Sequence, residues 1–368
     1  MLLQHLLTMI PQAKDRLNGM QDLRHEYLPI TGLAEYLGTS QKLVFGASSE
    51  VVRQQRIASM QTLSGTGALH LGALFLARWL PDTQSKIVYV SDPPYVNHLP
   101  ILHHVSLRTA MYPYYSRSTK RLDLDGMIET LKQAPIGSIV LLHACAHNPT
   151  GMDPSQEQWR HIARIMKQRQ HIPFFDSAYQ GFASGSIDDD AWSIRYLVDQ
   201  GFDTVIVAQS YAKNLGLYGE RAGCLHIVAK ETGVASRVVS QLQRLQRVEI
   251  STPPAFGARI ASTVLNTPDL FSKWQEDLQT MSGRIKDRRH VLRKSLESNG
   301  VAGDWSHITQ ESGMFSYTGL TSEQVKWLRS KYHIYMTNDG RISVAGLNTK
   351  NTAYVAEAFK AAINHANP

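Results

Sequence analysis

Four short runs of β-branched and other apolar residues punctuate the first two-thirds of this chain, each separated from the next by a stretch of different character. The runs are Ile87 to Ser91 (IVYVS), Ser138 to Leu142 (SIVLL), Ile172 to Asp176 (IPFFD) and Thr204 to Ala208 (TVIVA). Helical patterns such as Leu122 to Gln133 and Gln156 to Gln168 lie between them. Continuous apolar runs of this length suit strands buried on both faces, which requires a mostly parallel sheet with helices on both sides. An α/β chain built in this way binds ligands beyond the carboxyl ends of its strands. From Pro254 onward the pattern changes. A long helical tract runs from about Leu270 to Ser298, followed by short strands at Met314 to Tyr317 and Arg341 to Val344, and a closing helix from Thr352 to Asn364. That tail reads as a smaller α+β domain, with the passage into it near Thr280.

The 368 residues are 43% hydrophobic and 19% charged, an ordinary soluble balance and enough chain for two domains. No stretch of about eighteen consecutive apolar residues occurs, so no membrane span is expected. Two cysteines, Cys145 and Cys224, are too few for a disulfide framework and suit a reducing compartment. The net charge of +7 would serve nucleic acid, anionic lipid or small anionic substrates. The densest basic run, Arg284 to Lys294 (RIKDRRHVLRK), reads as a solvated helix face. Neither zinc-finger spacing nor an RNA-binding aromatic signature accompanies it, so small anions are the expected partners rather than nucleic acid. The opening MLLQHLLTMIPQAKDRL lacks the basic region and cleavage site of a secretory signal. Cytoplasm is the expected compartment, with the mitochondrion as the alternative.

Three features carry chemistry. Ser64-Gly65-Thr66-Gly67 precedes an apolar helical pattern, Ala68 to Leu80, where small residues let backbone N–H groups and hydroxyls approach an anion at the positive end of a helix. It is not a dinucleotide fingerprint, because the third glycine is misplaced and no strand clearly leads into it. Asp176 ends the third apolar run, with Tyr179 three residues on. Such an acid serves either as an N-cap or as a charge partner holding a heterocyclic nitrogen protonated. Asn148-Pro149-Thr150-Gly151 forms a turn after the preceding run. The third feature is QSYAKNLGLYGER, Gln209 to Arg221. Lys213 there is either a surface residue or a desolvated amine with a lowered pKa, and Arg221 adds a fork suited to phosphate. His143, Cys145 and His147 alternate and invite a zinc proposal, but no fourth ligand has suitable spacing and metal binding is not expected.

Taken together, HEYLPI at His25 to Ile30, SGTGAL at Ser64 to Leu69, HACAHNPTG at His143 to Gly151, FFDSAYQGFASG at Phe174 to Gly185 and the Lys213 loop resemble the aspartate aminotransferase family in motif, order and spacing. The likeness extends from about His25 to the C-terminus. It implies a pyridoxal 5'-phosphate-dependent transferase of fold type I. The large domain would hold a mostly parallel seven-stranded sheet over residues 5–280. The small domain would span 281–368, with 1–4 a remnant of its N-terminal part. The implied reaction is transamination between L-aspartate and 2-oxoglutarate, giving oxaloacetate and L-glutamate, in a homodimer with shared active sites. By the same resemblance Lys213 carries the cofactor and moves the substrate's Cα proton, and Asp176 pairs with the ring nitrogen. Asn148 and Tyr179 bond the phenolic oxygen, and Ser64, Gly65, Thr66, Ser210 and Arg221 hold the phosphate. Tyr27 reaches the phosphate of the neighbouring subunit. Arg341 clamps the substrate's α-carboxylate, while Arg247, with Arg244 as a nearby competitor, binds the distal carboxylate across the dimer.

Three departures stand out. Tyr95 occupies the position where the family usually stacks a tryptophan on the cofactor. Glu249, Ile250 and Thr252 replace the more usual residues beyond Arg247, and Glu249 is expected to pair with that arginine and weaken dicarboxylate binding. The family normally has a few dozen residues before the region starting at Met9, so weaker closure and dimer locking are expected. The alternative readings are a weakened or inactive homologue, or a preference shifted to aromatic substrates.

Overall fold

The structure is a computed structural model that describes residues 7–19, 25–81 and 86–366. Expectations placed on residues 1–4 lie outside the described residues. Eleven strands occur among the described residues: β1 (Ile57–Leu63), β2 (Ile87–Asp92), β3 (Arg108–Pro113), β4 (Tyr115–Ser116), β5 (Arg121–Leu122), β6 (Ile139–His143), β7 (Ile172–Ser177), β8 (Val205–Ser210), β9 (Ala222–Val228), β10 (Phe315–Tyr317) and β11 (Arg341–Ser343). Seven form the central sheet in the order β1-β9-β8-β7-β6-β2-β3. The pairing is parallel from β8 to β3, and β9 runs antiparallel to both β8 and β1.

The four apolar runs are β2, β6, β7 and β8. Every residue of β6, β8 and β9 is buried, as two-sided coverage demands. Adjacent residues point to opposite faces. Phe175 and Val207 therefore join one core with Trp159 and Ile162, while Phe174 and Ile206 join another with Leu69 and Leu225. The helix Gln156–Gln168 shows how local sequence sets these layers. A capping box between Ser155 and Gln158 starts it, and Trp159, Ile162, Ala163 and Met166 recur on one buried stripe. A third core joins the helices Ala255–Asn266, Pro268–Ser298 and Thr352–Ala366 through Trp274, Leu278, Leu292 and Phe359. The Pro268–Ser298 helix crosses residue 280 without interruption.

Two expectations are corrected. Strand β1 leads directly into the helix Ser64–Trp79, so a strand does precede the Ser64-Gly65-Thr66-Gly67 segment. Its sequence, IASMQTL, hides the strand because its polar residues are buried and bonded instead of solvated. Gln61 donates to Pro254 O and accepts from Leu33 N, and the Ser59 hydroxyl lies 2.7 Å from His226 Nδ1. The basic run at Arg284 to Lys294 is not wholly a solvated face either. Arg289 is buried, with its guanidinium 2.7 Å from the buried carboxylate of Glu311.

No helix among the described residues is long and apolar enough to cross a membrane.

Buried histidines make the fold acid-sensitive. Burial lowers His226 to about 3, and His143, for which burial is again the largest cause, to about 3. Both are neutral when folded, while in the unfolded chain they titrate near 6.5. Below that value the unfolded chain binds more protons, so stability present above pH 6.5 is lost as pH falls towards 3, by roughly 1.4 kcal/mol per histidine at pH 5.5. His226 sits between Ser59 and Ser40, 2.7 and 2.8 Å from their hydroxyls. The variant His226→Gln should therefore show a shallower fall in urea midpoint between pH 7.5 and 5.5 than the unaltered chain. An identical slope would contradict the assignment.

Candidate active site

Sheet register assembles the site. His143 at the end of β6 pairs with Asp176 near the end of β7, and β7 pairs with β8, which ends at Ser210. Because β9 is reversed, its first residues lie beside these carboxyl ends: Gly223 faces Ser210 on one side and Thr62 on the other. Ser64, immediately after β1, donates its backbone N–H to Arg221 O at 2.9 Å. Ser64 and Arg221 both adopt left-handed backbone, with φ of 60° and 54°, an uncommon conformation for non-glycine residues and one that clusters at functional sites. Gly223 permits this approach, since a Cβ there would sit 2.5 Å from the Ser64 backbone. The Ser64 and Ser210 hydroxyls are 3.0 Å apart, with Gly65 against Ser210 at the start of the Ser64–Trp79 helix. Thr66 is exposed beside them. Hydroxyls, backbone N–H groups, a helix N-terminus and the Arg221 side chain are thus gathered in a form that suits an anion, a cradle in outline.

Lys213 follows in the next loop. Its Nζ lies 4.4 Å from the centre of the Tyr179 ring. Burial lowers its pKa, Arg221 lowers it further, and Asp176 opposes both. Asp176 behaves in the opposite sense. Burial pushes its carboxyl up, but the hydrogen bond and charge of His98, with His143 and Lys213, hold it below the usual value. The His98 Nε2 to Asp176 Oδ2 distance is 3.0 Å in a fully enclosed setting. Asp176 is thus an ionised buried carboxylate and not a helix cap. The Tyr179 hydroxyl is buried beside Lys213 with no hydrogen-bond partner among the described residues, so it is available to a ligand.

Asn148 and Arg341 meet: the guanidinium Nη1 donates to Asn148 Oδ1 at 2.8 Å, and Arg341 also stacks over Phe315 at 4.6 Å. Tyr95 is half-buried, edge-on to His98 at 5.2 Å, and its hydroxyl accepts from Asn97 at 3.0 Å. Within one chain two residues remain apart from this group. Tyr27 is 83% exposed, and Arg247 is exposed near the end of the Thr232–Glu249 helix. The expected pairing of Glu249 with Arg247 is overturned. Glu249 points instead to His70 Nε2, 3.2 Å away on the cradle helix.

His143, Cys145 and His147 do not converge as ligands. His147 Nδ1 lies 2.8 Å from Thr150 Oγ1 and its Nε2 lies 2.9 Å from Ser91 Oγ, while Cys145 is a buried free thiol. Sequence reasoning missed His98, the residue that keeps Asp176 ionised. Its signal is faint, a single histidine beginning the short helix His98–His104. It also missed Asp153, which accepts the N–H groups of Ala146 and His147 beneath the Asn148 turn.

The chain matches the family model described as aminotransferase class I and II over residues 2–359. It is 44% identical over 360 residues to the aspartate aminotransferase, cytoplasmic, of Saccharomyces cerevisiae, covering 96% of this chain and 85% of that one. Against the rice protein of the same name, identity is 46% over 97% of this chain and 87% of that protein. The solved structure of the yeast cytoplasmic aspartate aminotransferase superposes with a TM-score of 0.95 at 43% identity, covering 98% of this chain and 88% of that chain. The chain belongs to the class I and II aminotransferases.

The lowered pKa of Lys213 sets a direct check. In protein freed of any bound cofactor, reductive methylation with formaldehyde at pH 7.5, read by peptide mass spectrometry, should label Lys213 ahead of the exposed lysines, since a larger fraction of it is the free amine. Labelling that follows exposure alone would contradict the assignment.

Proposed function

We propose, from membership of this family and from the site, that the chain transfers the amino group of L-aspartate to 2-oxoglutarate, giving oxaloacetate and L-glutamate. Its cofactor is pyridoxal 5'-phosphate, and a related aromatic-amino-acid aminotransferase of Burkholderia pseudomallei, TM-score 0.92, is described as covalently bound to that group. The residues fit it. The observation that carries the reading is the facing pair of a desolvated lysine and a buried ionised carboxylate, beside an unpartnered phenol and an anion cradle. When bound, the cofactor supplies a conjugated ring that accepts the electron pair released at the substrate's Cα.

The chain's own residues do the rest. Lys213 would hold the cofactor, and once a substrate amine had displaced it, its free amine would take the proton from the substrate's Cα. Asp176, held ionised by His98, keeps a proton on the ring nitrogen. Tyr179 and Asn148 hold the phenolic oxygen, and Ser64, Gly65, Thr66, Ser210 and Arg221 receive the phosphate. Tyr95 would supply the aromatic face for the cofactor in place of a larger residue. Arg341 and Asn148 grip the α-carboxylate, the bidentate fork setting the angle at which Cα presents its proton. Tyr27 and Arg247 complete the site from a neighbouring subunit, a role supported by their exposure and by the 86% exposure of Val248 beside Arg247. With Glu249 committed to His70, Arg247 remains available for a distal carboxylate, which supports dicarboxylates over aromatic substrates. We assign residues 5–280 to the large unit and 281–368 to the small one. The compartment is the cytoplasm, by likeness to relatives named cytoplasmic.

Adding L-aspartate to the cofactor-loaded protein should change its visible absorbance, and 2-oxoglutarate should restore it. Lys213→Ala should lose about 10³-fold or more in turnover. An unchanged spectrum with L-aspartate would overturn the assigned reaction.

Shared sites have their own check. Lys213→Ala and Arg247→Ala chains are each expected to be poorly active, but mixing them under subunit exchange should restore activity. One site of the hybrid then holds both residues. Failure to recover activity in verified hybrids would refute the shared arrangement.

A further inference from the structure

The Asn148 turn and the strand bearing Arg341 are tied together from below by one carboxylate. Asp153 accepts from Ala146 N at 2.7 Å and His147 N at 2.9 Å, the two residues leading into Asn148. Its Oδ2 also accepts from the Ser312 hydroxyl at 2.5 Å, and Ser312 N donates to Gly151 O at 2.7 Å on the far side of the same turn. Ser312 is 159 residues away in sequence from Asp153, so these bonds join two distant parts of the chain.

Beyond Ser312 the connection is rigid. Arg289 donates to the carbonyls of Ile308, Ser312, Gly313 and Phe315, and meets Glu311 Oε2 at 2.7 Å. Glu311 in turn accepts from Tyr317 N at 3.1 Å and from the Ser316 hydroxyl. A planar guanidinium with this many carbonyl acceptors fixes the path of residues 308–315 far more tightly than an ammonium would. That path continues into β10, where Tyr317 pairs with Arg341 across the strands and Phe315 lies beneath the Arg341 guanidinium. Gly151 leaves room for the joint, since its φ is +70° and a Cβ would lie 2.9 Å from Glu311 Cβ.

We propose that Asp153 is a positioning residue for substrate binding: through Ser312 and the Arg289–Glu311 pair it sets the distance and angle between Asn148 and Arg341. This rests on the reading that Asn148 and Arg341 grip the substrate's α-carboxylate. Asp153 touches neither substrate nor cofactor. Its loss therefore changes how tightly any α-carboxylate is held, whatever stands at the substrate's other end. Burial pushes the Asp153 carboxyl up, and the Ser312 hydroxyl, the two backbone N–H groups and Arg289 pull it back towards ionisation. Removing the Ser312 hydroxyl breaks the joint at Asp153 while the backbone bonds of Ser312 to Gly151 and Arg289 remain.

The test compares Ser312→Ala and Asp153→Asn with Ile285→Val, a mild core change in the same Pro268–Ser298 helix that touches none of these bonds. In cofactor-loaded enzyme the first two should raise KM about fivefold for both L-aspartate and L-alanine, the weight of one net hydrogen bond, with kcat within about twofold. Succinate, a dicarboxylate that cannot react, should bind more weakly by a similar factor when followed by cofactor absorbance. Ile285→Val should lower thermal stability and leave KM and succinate binding unchanged. If Ser312→Ala and Asp153→Asn match Ile285→Val, or if the loss is confined to L-aspartate, the proposal is overturned. Arg341→Lys separates the two levels. An unchanged KM there refutes the carboxylate-grip reading itself, whereas a raised KM with unaffected Asp153→Asn refutes only the positioning role.

Discussion

Strand β9 runs against both of its neighbours, and the anion end of the site depends on that reversal. In a wholly parallel sheet every strand ends at the same edge, so the edge is built only from residues that follow strands. A reversed strand adds residues that precede one. Arg221, directly before β9, is thereby placed beside Ser64, directly after β1, and near Ser210 at the end of β8. The two left-handed residues at this junction are consequences of the same crossing, because both chains must turn sharply away from the sheet to leave the cradle open. Gly223 is the concession in sequence, a position where no side chain fits.

What the sequence made legible follows from this geometry. Strands buried on both faces announce themselves as apolar runs, and β2, β6, β7 and β8 were readable within a residue or two at each end. β1 and β9 were not. β1 carries Ser59, Gln61 and Thr62, and β9 carries His226, polar side chains that are paired inside the protein. A buried, bonded polar residue looks in sequence like a solvated one, since periodicity registers only polarity. Arg289 escaped for the same reason. Among the charges of RIKDRRHVLRK nothing separates it from its neighbours, and only the fold supplies Glu311 and the carbonyls that satisfy it. The cofactor motifs were legible because they are local, whereas His98 acts across 78 residues and left no local trace.

The departures from the family pattern take on meaning through their contacts. Glu249, two positions from Arg247, is drawn to His70 on the cradle helix. Exposed pairs of this kind contribute little to stability, so its importance is in what Glu249 does not do. Tyr95 offers less stacking area than an indole, yet its hydroxyl is fixed by Asn97. Asn97 stands at the N-cap of His98–His104 and makes no side-chain cap bond there. A capping residue here turns instead towards a neighbouring phenol, and the short Tyr95 to His98 segment delivers two side chains to the site from one turn.

Burial acts on Lys213 and Asp176 in the same physical sense, favouring the neutral form of each, yet Lys213 is lowered from its ordinary value while Asp176 is held below its own, in the charged direction. The difference is the company each keeps. For Lys213 burial is the largest cause and Arg221 adds to it, so that the opposing charge of Asp176 offsets them only in part. Asp176 has an imidazole at 3.0 Å, with His143 behind it, and remains charged. An ionised carboxylate in an enclosed setting costs several kcal/mol unless it is bonded, so His98 is required by the fold as much as by the chemistry. Hydrogen bonds likewise oppose burial at Asp153, through two backbone N–H groups and a hydroxyl, and at Glu311, through Arg289, although burial still leaves both carboxyls raised. Three buried acids thus anchor the parts that meet here: Asp176 beside Lys213, Asp153 under the Asn148 turn, and Glu311 beside the strand of Arg341. Asp176 meets His98 across 78 residues and Asp153 meets Ser312 across 159, so these anchors join parts of the chain that the sequence keeps far apart.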